Sequence, residues 1–83
     1  MNSRHRRTLE AIFDTPVRSD IRWSAVESLV RALGGQVKRR EGSRVAFILN
    51  GRTAVFHRPH PKPAAKRWTI RDVRDFLELA GVT

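Results

Sequence analysis

Residues 36–57 read QVKRREGSRVAFILNGRTAVFH, and this stretch decides the fold. Apolar and polar residues alternate along it with the period of two that is typical of β-strands. The dipeptide Asn50-Gly51 interrupts the alternation, and it is the preferred sequence of a two-residue type I′ turn because both positions need positive φ. We therefore predict a hairpin of two strands, Arg44 to Leu49 and Arg52 to His57.

The turn at Asn50-Gly51 fixes the register of this hairpin. The predicted pairs are Leu49–Arg52, Phe47–Ala54, Val45–Phe56 and Arg44–His57.

The preceding strand can pair in two ways. A three-residue loop, Glu41-Gly42-Ser43, places Val37 opposite Phe47, whereas a two-residue loop places Val37 opposite Ala46. We favour the first, which gathers four basic residues on the sheet face opposite the apolar one: Lys38, Arg40, Arg44 and His57.

Three helices complete the pattern. The first is short and peripheral, carries Leu9, Ile12 and Phe13, and ends at Asp14-Thr15-Pro16. The second begins with a capping box of Ser24 and Glu27 and ends at Gly34-Gly35. Its apolar stripe consists of Val26, Leu29, Val30 and Leu33. We expect Trp23, just before the cap, to lie in the core. The third has Thr69 as cap, ends at Gly81, and presents an apolar face of Ile70, Val73, Phe76, Leu77 and Ala80.

The order α-α-β-β-β-α predicts an α+β fold, in which the helices cover one face of a three-stranded antiparallel sheet. We expect a short helix and linker over residues 1–20 and a single domain over residues 21–83, since a chain of 83 residues rarely divides further. No apolar run is long enough for a membrane span, and the basic start lacks the apolar stretch of a signal peptide. Without cysteine there is no disulfide or thiolate site, which fits the reducing cytoplasm.

The composition points to a polyanionic partner. Seventeen Lys and Arg against eight Asp and Glu give a formal charge of +9. Most of the basic residues are arginines, whose planar donors match phosphate oxygens two at a time. Nucleic acid is the partner we favour, although an acidic protein would satisfy the same charge.

The three histidines are the candidate proton-transfer groups, and His57 and His60 are the better pair because His5 lies in the basic start, where termini are mobile. His57 ends the last strand on the basic face, and His60 follows in the stiff segment His57-Arg58-Pro59-His60-Pro61-Lys62-Pro63. The alternative for His57 is a surface histidine that only hydrogen-bonds a loop carbonyl, and the alternative for His60 is packing within the loop. Two imidazoles without a third ligand do not make a metal site, so we expect neither a metal nor a cofactor. Trp68, after Lys66-Arg67, is either a nucleic-acid contact or a hydrophobic plug at the helix entrance.

The chain resembles the HicA-type toxins of bacterial toxin–antitoxin pairs over about residues 21–83. The resemblance is carried by Ile21-Arg22-Trp23-Ser24, Ala32-Leu33-Gly34-Gly35, Gly42-Ser43, Phe56-His57-Arg58-Pro59-His60-Pro61 and Leu79-Ala80-Gly81-Val82. It implies a fold like that of double-stranded-RNA-binding domains, cleavage of mRNA as an endoribonuclease, and a HicB-like antitoxin as partner. The family usually carries a catalytic histidine directly after the Gly-Ser turn, and this chain has Arg44 there.

The predicted register offers a replacement for that histidine, because it sets His57 directly across from Arg44. We assign His57 as the general base, Arg44 and Arg40 as phosphate ligands, and His60 or a water as the acid. Further RNA contacts are predicted at Lys38, Arg58, Lys62, Lys66, Arg67 and Trp68. The competing interpretations are an RNA-binding module without catalysis and a module that only binds an acidic antitoxin.

Overall fold

The helices and strands follow one another in the predicted α-α-β-β-β-α order. The computed structural model describes residues 1–82, and it contains α1 (Ser3–Ile12), α2 (Trp23–Ala32), β1 (Gln36–Arg39), β2 (Arg44–Leu49), β3 (Arg52–His57) and α3 (Arg67–Leu79). The strands form one antiparallel sheet in the order β1-β2-β3, which confirms the α+β prediction. In this part of the chain no helix is long and apolar enough to span a bilayer.

Both turns of the sheet have the predicted geometry. Asn50 and Gly51 have φ values of 50° and 78°, as a type I′ turn requires. The β2–β3 register is the predicted one at every pair from Leu49–Arg52 to Arg44–His57. Val37 pairs with Phe47, so the three-residue loop around Gly42 is also confirmed.

Aromatic side chains from the sheet, α2 and α3 pack together on the apolar face of the sheet. Phe47 is fully buried, and the Trp23 ring stacks on it at 5.4 Å between centroids and 15° between planes. The rings of Phe56 and Phe76 also pack against the Phe47 ring, with 5.0 and 6.2 Å between centroids. Trp23 is thus a core residue, as predicted.

Neither predicted helix cap exists. Helix α2 begins at Trp23, so Ser24 lies inside the first turn and makes no capping hydrogen bond. The N–H of Trp23 donates instead to the carbonyl of Pro63 at 2.9 Å, within a backbone bridge that joins Arg22 to Ala64. The connector before α3 therefore supplies an acceptor for the first N–H of α2, a different N–H from the one that the serine hydroxyl was expected to cap.

Helix α3 also begins earlier than predicted. It starts at Arg67, with Lys66 as its N-cap residue and no side-chain cap. Thr69, the expected cap, is buried in the first turn. A polar residue near a predicted helix start can face the protein interior, and sequence spacing does not show this.

Helix α1 is not peripheral. Ile12, near its end, is fully buried and belongs to the main core. Arg74 of α3 fixes this end of α1: its Nε and Nη2 donate to the carbonyl oxygen of Ile12 at 3.0 and 2.8 Å, and its Nη2 donates to that of Asp14 at 2.7 Å. Arg74 and Ile12 are 62 residues apart in the sequence, so local patterns cannot show that α1 is held in this way.

Candidate active site

Arg44 and His57 are direct partners on β2 and β3. The N–H of Arg58 donates to the carbonyl of Ser43 at 2.7 Å, so the neighbouring pair is hydrogen bonded. Because such pairs alternate in an antiparallel ladder, Arg44 and His57 form a non-hydrogen-bonded pair, with Cα atoms about 4.5 Å apart and side chains in closest approach. Both residues are exposed. A guanidinium and an imidazole therefore leave the same sheet face side by side.

Two further cations extend this face across β1. The N–H of Arg40 donates to the carbonyl of Arg44 at 3.0 Å, which sets Arg40 across from Arg44 on the other side of β2. Lys38 pairs with Ala46, one row further along the sheet. All four residues predicted on the outer face are exposed and lie at positions that share it.

A cleft of about 470 Å³ opens where β3 ends, between the connector and the start of α3. It contains most of the remaining candidate residues: His57, Arg58, His60, Lys62, Lys66 and Trp68. No Asp or Glu lines it. His57 thus belongs both to the outer sheet face and to the cleft, and it joins the two halves of the site.

Trp68 stands in this cleft with 57% of its surface exposed. The alternative of a hydrophobic plug is wrong, because an indole that closed the helix entrance would be buried. Its neighbour in the cleft, Arg58, is half-buried, and within residues 1–82 its buried Nε has no hydrogen-bond partner.

Two of the predicted RNA contacts, Arg67 and Arg44, have their Nε atoms near backbone carbonyl oxygens. The Nε of Arg67 donates to the carbonyl of Val17 at 3.1 Å, and Arg67 is not among the residues that line the cleft. The Nε of Arg44 lies 3.4 Å from the carbonyl oxygen of Glu41 in its own loop.

The basic side chains of the site form no ion pairs among the described residues. Across residues 1–82 both ion pairs involve Arg18, which contacts Asp14 at 3.8 Å and Asp20 at 2.8 Å. The hydrogen bonds from Arg18 hold the pKa of Asp20 below its ordinary value, and they raise the pKa of Arg18. In that same range no carboxylate lies within 4.0 Å of the side-chain nitrogens of Arg44, Arg58 or the cleft lysines.

The groups that the site offers are imidazoles and cations. Imidazole is the side chain that exchanges protons most readily near neutral pH, and guanidinium and ammonium groups bind anions. In the described residues no group of three or more His, Asp or Glu is arranged to hold a metal ion. The arrangement can therefore bind a phosphate and move a proton beside it.

Ser43 was not predicted as a site residue, although it lines the cleft. The predicted register, extended by one residue beyond Arg44–His57, places Ser43 opposite Arg58. The predicted register was therefore sufficient to place Ser43 beside Arg58.

Among the comparisons with known proteins, the one with family models gave a match. No curated protein and no solved structure matched the chain. A family model described as the HicA toxin of bacterial toxin–antitoxin systems matches residues 23–82, from the first residue of α2 to just beyond the end of α3. Because this match covers well over half of the sequence, the chain belongs to the HicA toxin family.

Proposed function

We propose that this toxin is a metal-independent endoribonuclease that cleaves mRNA, and that it inhibits translation and growth in this way. The observation that carries the proposal is the direct pairing of Arg44 with His57 on an exposed sheet face. A phosphodiester bound by the guanidinium would lie within reach of the imidazole.

The proposed reaction is transfer of the phosphoryl group to the neighbouring 2′-oxygen. His57 accepts the proton of the ribose 2′-hydroxyl, whose oxygen forms a bond to phosphorus. The bond from phosphorus to the 5′-oxygen breaks, and His60 or a water protonates the leaving oxygen. Arg44 and Arg40 stabilise the negative charge that develops on the phosphoryl oxygens. The products are a 2′,3′-cyclic phosphate and a 5′-hydroxyl end.

The surrounding cations support RNA as the substrate. Lys38 lies one row from Arg40 on the outer face, and Arg58, Lys62 and Lys66 line the cleft. Contacts of this kind neutralise backbone phosphates, and they supply most of the affinity of sequence-independent binding. We assign the same surface to a HicB-like antitoxin, which would silence the toxin by covering it, and we propose that both proteins act in the cytoplasm.

The experiment that tests the proposal compares His57→Ala with His5→Ala. His5 is a matched control because it lies outside the site, with its Nε2 2.9 Å from the hydroxyl of Ser28. Loss of a general base lowers a cleavage rate by about 100-fold or more. We expect His57→Ala to abolish growth arrest on induction and the appearance of RNA with 5′-hydroxyl ends, and we expect His5→Ala to retain both. Cleavage by purified protein should persist in EDTA.

A second candidate function, RNA binding without cleavage, is favoured by one observation. Arg44 stands where the family histidine is expected, and its Nε lies 3.4 Å from the Glu41 carbonyl oxygen. Salt-sensitive RNA binding with no cleavage product, together with undiminished toxicity of His57→Ala, would establish this function and reject the first.

A further inference from the structure

Trp68 has no role in the proposed cleavage reaction, although its position is unusual. It lies in the first turn of α3 with 57% of its surface exposed, whereas the other tryptophan, Trp23, is 5% exposed. Burial of a large aromatic side chain is among the strongest contributions to folding. Tryptophan is enriched at binding interfaces, where its large ring can be covered by a ligand.

The charges around Trp68 indicate which ligand would use this indole. Arg58, Lys62 and Lys66 line the same cleft, and no carboxylate lines it. An aromatic face surrounded by cations matches a nucleotide, in which a flat base is joined to a phosphate. An acidic peptide would be attracted by the same cations, but it has no group that requires the exposed indole.

We propose that this cleft binds one unpaired nucleotide of the RNA next to the cleavage point, with its base stacked on Trp68 and its phosphate held by Lys62 and Lys66. The site thereby selects single-stranded over double-stranded RNA. This inference rests on the proposed function, since it names the form of RNA that reaches His57, which lines the same cleft.

Cleft size and RNA geometry both favour an unpaired base. The volume of about 470 Å³ lies within the range of about 300–1,000 Å³ that is usual for small-ligand sites. In an A-form duplex both faces of an internal base are covered by neighbouring bases, so an indole has no face to contact. Aromatic side chains stack on bases that have been splayed out of a single strand.

The test is a binding measurement with an RNA that cannot be cleaved by the proposed route. A short oligonucleotide with 2′-fluoro sugars has no 2′-hydroxyl to attack, and it is used alone and annealed to its complement. The full chain is compared with Trp68→Ala and Trp68→Phe by fluorescence anisotropy. Heparin is the control polyanion because it carries charge without bases. Because Trp68 is largely exposed, its replacement leaves the core intact.

We expect the wild-type chain to prefer the single strand. Trp68→Ala should lower that affinity by about 5- to 150-fold, the range that corresponds to about 1–3 kcal/mol for a stacked base. Trp68→Phe should recover most of the loss, and heparin binding should not change.

Several outcomes would overturn the inference. These are equal affinity of Trp68→Ala and wild type for the single strand, an equal loss for heparin, or a preference for the duplex. In each of them the chain still binds RNA, so the proposed function stands. If the wild-type chain binds neither RNA, the proposed function and the inference both fail.

Discussion

Arg44 and His57 face each other across β2 and β3 as a non-hydrogen-bonded pair on the exposed face of the sheet. The resemblance to HicA toxins places a histidine at position 44, and this chain has its imidazole at the opposite member of the pair. Side chains at such a pair are the closest that two strands allow. This pairing supports the proposal that the imidazole of His57 takes the place of the family histidine.

The first prediction is that the two residues can be exchanged. His57→Arg alone should lower RNA cleavage by about 100-fold or more, because it removes the general base. The double variant Arg44→His/His57→Arg keeps one imidazole and one guanidinium in the pair, and it should recover to within about tenfold of wild type. Initial rates on a short RNA with natural sugars measure this. A double variant as inactive as His57→Arg would contradict the prediction.

The strand register was predictable because it depends on local chemistry. Asn50 and Gly51 adopt the positive φ values that the turn requires, and the pairing of Arg44 with His57 follows by counting outward from them. The pairing of these two residues could therefore be predicted from the sequence alone.

Features that depend on distant segments were not predictable. At the start of α2 the N–H of Trp23 donates to the carbonyl of Pro63, forty residues away, and the local serine makes no capping hydrogen bond. The exposure of Trp68 depends on where the connector passes, and the hydrophobic-plug alternative could not be rejected from sequence spacing alone. Local patterns predict turns and faces, whereas contacts between distant segments decide what is covered.

The second prediction concerns the cleft lysines. For a single strand, the slope of log affinity against log salt is about −0.7 for each phosphate contact. Lys62→Ala/Lys66→Ala should therefore make the slope shallower by about 1.4, in addition to weakening binding. Arg52→Ala is the control, because Arg52 is exposed at the far end of β3 and outside the cleft. The measurement is binding of the 2′-fluoro single strand over a salt series, and an unchanged slope in the lysine variant would show that these side chains do not contact phosphate.

The third prediction is that Arg74 holds α1 on the domain. Its guanidinium donates to the carbonyl oxygens of Ile12 and Asp14, and it lies 5.5 Å from the ring centroid of Phe13. Arg74→Met should lower the free energy of unfolding by about 2–3 kcal/mol, because hydrogen bonds from a charged donor contribute about 1.5–3 kcal/mol. Chemical denaturation measures the loss, and hydrogen exchange should show faster opening of α1.

The exposed Arg71 of the same helix provides the control for Arg74. Arg71→Met should change stability by no more than about 0.5 kcal/mol, as is usual for surface substitutions. Equal effects of the two substitutions would mean that the contacts with α1 contribute nothing measurable.

The last prediction is that Gly35, which follows α2, is required because the chain there passes close to both Val30 and the Ile48 carbonyl. An added Cβ would lie 2.8 Å from the carbonyl oxygen of Ile48 and 2.8 Å from Cγ1 of Val30. Neither neighbour can move easily, since Val30 is fully buried and Ile48 is paired within the sheet. Gly35→Ala should therefore lower the free energy of unfolding by about 1–3 kcal/mol, the usual cost of overpacking. Urea denaturation measures it against Ser24→Ala, a substitution at an exposed position in the first turn of α2 where the serine makes no capping hydrogen bond. We expect the control to unfold within about 0.5 kcal/mol of wild type, and a Gly35→Ala protein as stable as the control would mean that the helix and sheet can separate without cost.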